Sequence, residues 1–521
     1  MPLANTATSP IVLLAVNARY RHTSIGLRCL RANLSTLESE AQILEFTTRA
    51  AIAQVVEEVQ ARCPVVVGIG VYIWNVHYVE ELVPRLRAVL PEVTVVLGGP
   101  EVSHELEGQP LEKLADYVVQ GEGERAFREL CERLLSGEKP ETKVISGHTP
   151  PMAELELPYR LYSEEDIAHR VIYVEASRGC PYRCEFCLSS LDRRVRDVDL
   201  SRFFAAMDRL WERGVRDFKF IDRTFNLSLR FSLQVLHFFL QKAEPVKSLH
   251  FEMVPERLPE ELLETLARFE PGVVQLEVGV QTLNAEVARN ISRPMNVSRI
   301  AENIRALRRE TGVHLHVDLI VGLPGEDLTS FGRGLDQLHA LHPQEIQVGV
   351  LKRLKGTPLQ RHTHSFSMHY SDRAPFEILE TSEVGPEEME AMKRFAHYWD
   401  RFVNSGQFSG SVSLIWSDQD SVYGSFRDFS SWLFQRLGRV SHNSLLQLAE
   451  HLFCYLTEVR GMACSRVGTR IVHDLKRVPG RRLPASLKPY KPAAVEIQPT
   501  SGASGAGRLK RQQRHQASVR P

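Results

Sequence analysis

The chain reads as an α/β protein: a doubly wound, flavodoxin- or Rossmann-like sheet, then a partial, TIM-like (β/α)6 barrel, then an α-helical C-terminal domain and a disordered basic tail. Three observations predict this. Short apolar runs alternate with helix-period segments over residues 11–135, a second alternation runs from 171 to 351, and helical periodicity alone marks 375–490. The expected boundaries are a Rossmann-type domain over 1–140, a linker over 141–170, a barrel over 171–370, a helical domain over 371–490 and the tail over 491–521.

The first alternation begins with Ile11–Val16, a fully apolar run as in a buried parallel strand. A helix follows over Ser24–Leu37, a strand over Ala41–Phe46 and a helix over Ala50–Arg62. Val65–Val71 is a strand, Val79–Leu90 a helix, Val93–Leu97 a strand, Tyr117–Gln120 a strand and Arg125–Leu135 a helix. Five β–α units of this length predict a doubly wound parallel sheet, whose ligands bind outside the carboxyl ends of the strands. The loops there are rich in glycine and polar groups: Arg19, Tyr20 and Ser24 in the first, Tyr72 and Asn75 in the second, Gly98, Gly99, Pro100 and Glu101 in the third, Gly121, Glu122, Gly123 and Glu124 in the fourth. Each loop alone reads as an ordinary turn with a cap; the four together are the candidate ligand site.

The connector 136–170 is rich in Pro, Gly and charge. The second alternation places strands at Val171–Glu175, Asp217–Ile221, Leu249–Val254, Val273–Val280, Val313–Val321 and Ile346–Leu351, with helices between them. Six β–α units suit an open barrel with its catalytic groups at the strand carboxyl ends. Polar residues gather there: Asp222 and Thr224 after the second strand, Glu277 and Gln281 on the fourth, Asp318 and Gly322 on the fifth. A buried carboxylate on a strand also pairs with a core arginine in many proteins, so the grouping, not any single residue, carries the reading. Lys352, Arg353 and Lys355 follow the last strand, either to neutralise an anion or as a solvated loop.

The loop after the first barrel strand reads Ala176-Ser-Arg-Gly-Cys-Pro-Tyr-Arg-Cys-Glu-Phe-Cys-Leu188. Cys180, Cys184 and Cys187 have the spacing C-x3-C-x2-C, with Phe186 before the last. Ferredoxin-type clusters take four cysteines and structural zinc commonly takes two ligand pairs. The other cysteines, at 29, 63, 131, 454 and 464, supply no second pair with zinc spacing. Three thiolates on one loop hold three irons of a cubane and leave the fourth open to a small molecule; a zinc site completed by a distant His or Cys is the alternative.

This motif resembles the radical S-adenosylmethionine (SAM) superfamily, and the wider string Tyr173–Ser190 resembles its cobalamin (B12)-binding branch. The resemblance implies a 4Fe-4S cluster on Cys180, Cys184 and Cys187, with SAM chelating the open iron and cleaved to a 5′-deoxyadenosyl radical. It implies SAM contacts from Phe186, Asp222, Thr224, Glu277, Gln281, Asp318 and Gly322, with Asp222 accepting from the SAM ammonium and Gly322 letting the adenine approach. The four sheet loops resemble cobalamin-binding domains, whose strand-end loops hold the corrin ring and its nucleotide tail. The chain lacks the D-x-H-x-x-G string that supplies a cobalt ligand; His22 and His77 lie in candidate loops, where a lone histidine is commonly a surface or supporting residue. The branch commonly methylates unactivated carbon or phosphorus, so the implied function is a cobalamin-dependent radical SAM methyltransferase, with an unactivated carbon as the acceptor, served by an external flavodoxin- or ferredoxin-type electron donor, on a small-molecule substrate the sequence does not name. Radical rearrangement or oxidation without methyl transfer, and a non-catalytic cobalamin or iron–sulfur module, are the competing readings.

Composition sets the frame. Lys plus Arg equals Asp plus Glu at 64 each, so no basic field argues for nucleic acid. Eight cysteines in 521 residues do not tile a disulfide framework. No apolar run reaches the ~18 residues of a membrane span, and the start lacks a basic signal-type region, which predicts a cytoplasmic protein. Helices are expected over Glu387–Phe402, Ser430–Leu437 and Ser444–Arg460. After Glu496 no acid remains, which predicts the basic tail.

Overall fold

The computed structural model describes residues 8–478, 480–491, 511, 514 and 515, divided between two compact units. The first unit runs to Arg223 and adds Lys352–Gln360 and Ser371–Glu377. Its sheet holds β1 (Ile11–Asn17), β2 (Ala41–Thr47), β3 (Val66–Gly70), β4 (Thr94–Gly98), β5 (Tyr117–Gln120) and β6 (Val144–Ser146) in the order β2-β1-β3-β4-β5-β6, all parallel. β1 and β3 are buried along their whole length because both sheet faces are covered, which is why they read as unbroken apolar runs. The helices are α1 (Ile25–Ala32), α2 (Ile52–Gln60), α3 (Val76–Val89), α4 (Pro100–Ser103), α5 (Pro110–Leu114) and α6 (Glu124–Leu135). The alternation predicts five strands; the sixth, β6, lies in the connector and is too short to show a period. The connector also holds α7 (Glu164–His169), started by a Ser163–Asp166 capping box.

Beyond it come β7 (Ile172–Val174), the two-residue strands β8 (Ser177–Arg178) and β9 (Arg196–Asp197), α8 (Leu200–Glu212) and β10 (Asp217–Phe220). β7 and β10 pair in parallel, whereas β8 and β9 pair antiparallel and close a hairpin that periodicity does not reveal. The added segments lie against the sheet domain. Arg353 pairs with Glu105, and Lys355 Nζ lies 3.3 Å from Glu101 Oε2 and donates to Gln109 Oε1 at 2.7 Å. These two cations are thus paired with carboxylates of the sheet domain, Lys355 with the buried Glu101 and Arg353 with the exposed Glu105. Glu101, expected on a ligand, is 2 % exposed and belongs to this ion pair.

The second unit comprises Thr224–Leu351, Arg361–Tyr370 and the chain from Ile378. It holds α9 (Leu229–Leu240), β11 (Ser248–Met253), α10 (Glu260–Ala267), β12 (Val274–Gln281), α11 (Ala285–Asn290), α12 (Val297–Glu310), β13 (His314–Val321), α13 (Leu328–His339) and β14 (Glu345–Val350). β11 to β14 pair in parallel in chain order, so the six barrel strands expected are present, two in the first unit and four in the second. Every expected helix between them forms; α11 is additional.

After the hairpin β15 (His369–Tyr370) and β16 (Ile378–Glu380) come α14 (Pro386–Trp399), α15 (Val422–Leu437), α16 (Leu445–Cys454) and α17 (Cys464–Lys476). α15 begins eight residues before the expected start because Ser421 caps it and Asp336 accepts from Tyr423 N at 2.8 Å. α14 and α16 each run on into a π-helical turn, Asp400–Asn404 and Tyr455–Val459. Phe395, Trp399, Phe402, Phe408, Phe426 and Phe429 form a buried aromatic core, and Trp399 Nε1 donates to Ile346 O at 2.8 Å.

Most of the expected tail lies outside the described residues. Arg511, Arg514 and His515 do not, and they are packed: Arg511 Nη2 lies 2.9 Å from Glu345 Oε2, and His515 Nε2 lies 2.8 Å from Asn404 O. Burial acts upward on the Glu345 carboxyl, but the hydrogen bond from His314 and the charges of His314, Arg511 and His316 hold it at about 2. Of the three, Arg511 is the one whose ion pair answers the charge of Glu345, and it also pairs with Asp400 at 2.7 Å.

Candidate functional site

Cys180, Cys184 and Cys187 lie on the loop between β8 and β9, and none forms a disulfide. Cys180 and Cys184 are buried and Cys187 is half-buried. The loop is held at both ends. Cys180 N donates to Asp192 O at 2.8 Å, and Cys187 N to Cys184 O at 3.1 Å. Gly179 has φ +92, and a Cβ there would sit 2.3 Å from Arg194 O, so glycine alone lets the two limbs approach. Among the described residues no three His, Cys, Asp or Glu side chains form a single-ion site. A cubane spreads its thiolates over separate irons and does not require convergence on one point, so three cysteines outside any disulfide on a stapled loop fit the cluster.

Asp222 is 1 % exposed. Its Oδ2 accepts from Ala176 N at 3.1 Å and its Oδ1 from Ser177 Oγ at 2.6 Å. Burial pushes its carboxyl up to about 7, against the opposing pull of those hydrogen bonds. The resemblance implies an acceptor for an ammonium; the geometry also makes Asp222 the clamp at the root of the cysteine loop. Phe186 and Thr224 are half-buried.

In the second unit the alternation of β12 and β13 sets Glu277, Gly279, Gln281, His316 and Asp318 on the less buried face, with the valines and leucines on the covered one. Asp318 is the register partner of Gly279, so Glu277 and Asp318 lie close on one face. Glu277 Oε2 pairs with His250 Nε2 at 2.8 Å, and His316 Nε2 lies 3.4 Å from Asp318 Oδ1. His250 and His316 were not foreseen, since a histidine inside an apolar strand carries no spacing signal. A bulge between Gly279 and Gln281 leaves Gln281 at φ +73, a conformation that a non-glycine residue adopts only at a cost. Gly322 does not open onto free space: a Cβ there would meet Ile378 Cγ2 at 2.7 Å and Met389 Cε at 3.1 Å. Its missing side chain admits internal packing of Ile378 and Met389.

A cavity of about 390 Å³ opens at the carboxyl ends of β3, β4 and β5. Tyr72, Gly98, Gly99, Gly121, Glu122, Gly123 and Glu124 line it, as expected, together with Gly26, Leu27, Cys29, Gly68, Gly70, Phe127, Glu175 and Arg178. Its walls are mostly apolar and glycine-rich, which fits a flat heterocyclic tail of a corrinoid and is too small for the whole macrocycle. Gly99, at φ +105, would place a Cβ 2.5 Å from Val71 O. Gly99→Ala is expected to destabilise the protein by at least about 1–3 kcal/mol from backbone strain, measured as a fall in the denaturation midpoint; an unchanged midpoint would show that the turn relaxes freely.

The other expected cobalamin residues shape the cavity from behind or lie away from it. Ser24 caps α1, accepting from Leu27 N. Asn75 is 1 % exposed, accepts from Tyr72 N at 2.8 Å and donates to Gly70 O at 2.9 Å, fastening the Tyr72 loop. Tyr20 donates to Glu165 at 2.5 Å under the Arg170 guanidinium, and neither Arg19 nor Pro100 lines the cavity. His22 Nδ1 bonds Tyr173 Oη at 2.6 Å and His77 Nδ1 bonds Glu80 at 3.0 Å, so neither faces the cavity as a cobalt ligand.

Comparison with known proteins bears on both halves of the site. The family model for the Radical SAM superfamily matches residues 174–337, that for the B12 binding domain matches 11–131, and one described as a protein of unknown function (DUF4080) matches 364–480. The chain is 24% identical over 335 residues to the uncharacterized methyltransferase PH0819 of Pyrococcus horikoshii, covering 58% of this chain and 70% of that protein. It is 24% identical over 333 residues to the cobalamin-dependent radical SAM methyltransferase TokK of Streptomyces tokunonensis, covering 57% of this chain and 48% of TokK. Its fold is similar to that of the cobalamin-dependent S-adenosylmethionine radical enzyme OxsB, with TM-score 0.60 at 14% identity over 92% of this chain and 84% of that one. It is also similar to the radical SAM methyltransferase TsrM of Kitasatospora setae, with TM-score 0.56 at 19% identity over 71% of this chain and 82% of that one.

Proposed function

We propose that this chain, which belongs to the cobalamin-binding-domain-containing radical SAM proteins, is an enzyme that reductively cleaves SAM and methylates an unactivated carbon of a small molecule with the help of a bound corrinoid. The observation that carries the reading is one unit holding both a loop of three cysteines outside any disulfide and, within the reach of one arginine from its root, a glycine-lined cavity at the sheet's strand ends.

In this reading Cys180, Cys184 and Cys187 hold the cluster and the cavity takes the tail of the corrinoid. Such a cluster supplies the electron that breaks the sulfonium bond of SAM to a 5′-deoxyadenosyl radical, and a corrinoid supplies the methyl carrier. Asp222 fixes the root of the loop by tying Ala176 N and Ser177 Oγ. Glu277, Gln281 and Asp318 offer acceptors and donors for the ribose and the amino-acid end of SAM from the polar strand face. Apolar residues on the other face of those strands keep the sheet rigid behind them. An external electron carrier of flavodoxin or ferredoxin type serves as the reductant, and no helix among the described residues is long and apolar enough to cross a membrane.

The test is anaerobic incubation of reconstituted, cobalamin-loaded protein with SAM and a reductant, followed by product analysis. S-adenosylhomocysteine together with 5′-deoxyadenosine is the expected result. 5′-Deoxyadenosine alone would replace methyl transfer by a radical rearrangement or oxidation, and neither product from cluster-loaded protein would overturn the proposal.

A further inference from the structure

We infer that Glu122 is a positioning residue that couples occupancy of the strand-end cavity to the state of the cysteine loop. The hairpin β8–β9 brackets residues 179–195, and Arg178 and Arg196 are register partners across it. Both guanidiniums reach the same carboxylate. Arg178 Nη1 lies 3.2 Å from Glu122 Oε2; Arg196 Nη1 lies 3.2 Å from that oxygen and its Nη2 bonds Glu122 Oε1. Glu122 therefore holds both limbs of the loop that carries Cys180, Cys184 and Cys187. It also sits in the Gly121–Glu124 turn that lines the cavity.

Further contacts make the clasp stiff. Arg178 donates to Glu124 at 2.7 Å and Glu175 at 2.8 Å, and Arg196 donates to Asp192 at 3.0 Å. Asp192 O in turn receives Cys180 N at 2.8 Å. The arginine side chains are 15 % and 8 % exposed, so these ion pairs are weakly screened and geometry-sensitive. A ligand that fills the cavity presses on the Glu122 turn. Through two arginines on opposite strands, the displacement reaches both ends of the cysteine loop at once. Coupling of this kind is reciprocal, so a cluster on the loop must change the affinity of the cavity by the same factor.

The inference rests on the proposed function, in which the cavity takes a corrinoid and the loop a cluster. The experiment measures the dissociation constant of hydroxocobalamin on cluster-free and on anaerobically reconstituted protein. It also measures the midpoint potential of the cluster with and without hydroxocobalamin. In the unmodified protein the two dissociation constants are expected to differ by about fivefold or more, and the potential to move on hydroxocobalamin addition. In Glu122→Gln the ratio is expected to collapse towards one and the potential to stop responding, with Glu122→Asp partly restoring both.

Unmodified protein that binds both groups with a ratio of one overturns the inference and leaves the proposed function standing. Unmodified protein that takes up neither iron nor hydroxocobalamin overturns both. If Glu122→Gln holds neither group, Arg196→Lys, which keeps the charge but loses the two-pronged bond, is measured instead. A ratio unchanged by that substitution overturns the inference.

Discussion

Cys184→Ala is expected to lose the iron–sulfur absorption near roughly 400 nm that reconstituted protein acquires, and with it about 10³-fold or more of SAM cleavage, because ligands that act as a unit fail together. The position is chosen on structure. Cys184 is the central thiol of the three, 6 % exposed, and its carbonyl receives Cys187 N at 3.1 Å. Removing its sulfur leaves the loop backbone in place, so circular dichroism and the denaturation midpoint should stay close to the parent. Iron content equal to that of the unmodified protein would exclude these thiols as the cluster ligands.

Asp222→Asn is expected to change how stability depends on pH. In the folded chain burial lifts the Asp222 carboxyl from 3.8 to about 7. The folded state therefore favours the protonated form. The stability tied to that proton is complete below about pH 4, falls as pH rises towards 7, and is absent above it. Three pK units correspond to about 4 kcal/mol at most. Asn does not titrate and can still accept from Ala176 N, so cluster-free Asp222→Asn should gain on the parent protein by that order between pH 4 and 8. Denaturant melts across that range, without SAM, supply the check; two parallel profiles would show that Asp222 ionises normally and is not the buried clamp. Asp222→Ala is expected to leave the Ala176 N–H and the Ser177 hydroxyl unsatisfied and to cost about 1–3 kcal/mol at low pH.

Much of this was readable in the chain. The apolar runs of β1 and β3 announce buried parallel strands because both faces of the sheet are covered. The alternation of β12 announces a sheet with one polar face. Short elements stayed hidden. β6 has three residues and β8 and β9 two each, and no period is legible over so few positions. The loops at the strand ends were legible as a site, yet their residues divide. Tyr72, Gly98, Gly99 and Gly121–Glu124 face the cavity, while Ser24 and Asn75 hold the backbone around it and Glu101 pairs with Lys355. Both kinds of residue are polar or small, and only their partners tell them apart.

The sequence by itself determined the chemistry that can be held: three thiols at C-x3-C-x2-C spacing are a property of eight consecutive residues. Tertiary structure alone decided what surrounds them. Arg178 and Arg196 meet at Glu122, and Asp222 meets Ser177, across separations of 56, 74 and 45 residues. A carboxylate's role depends on which cation or amide the fold brings to it, and local pattern carries no record of a partner that distant.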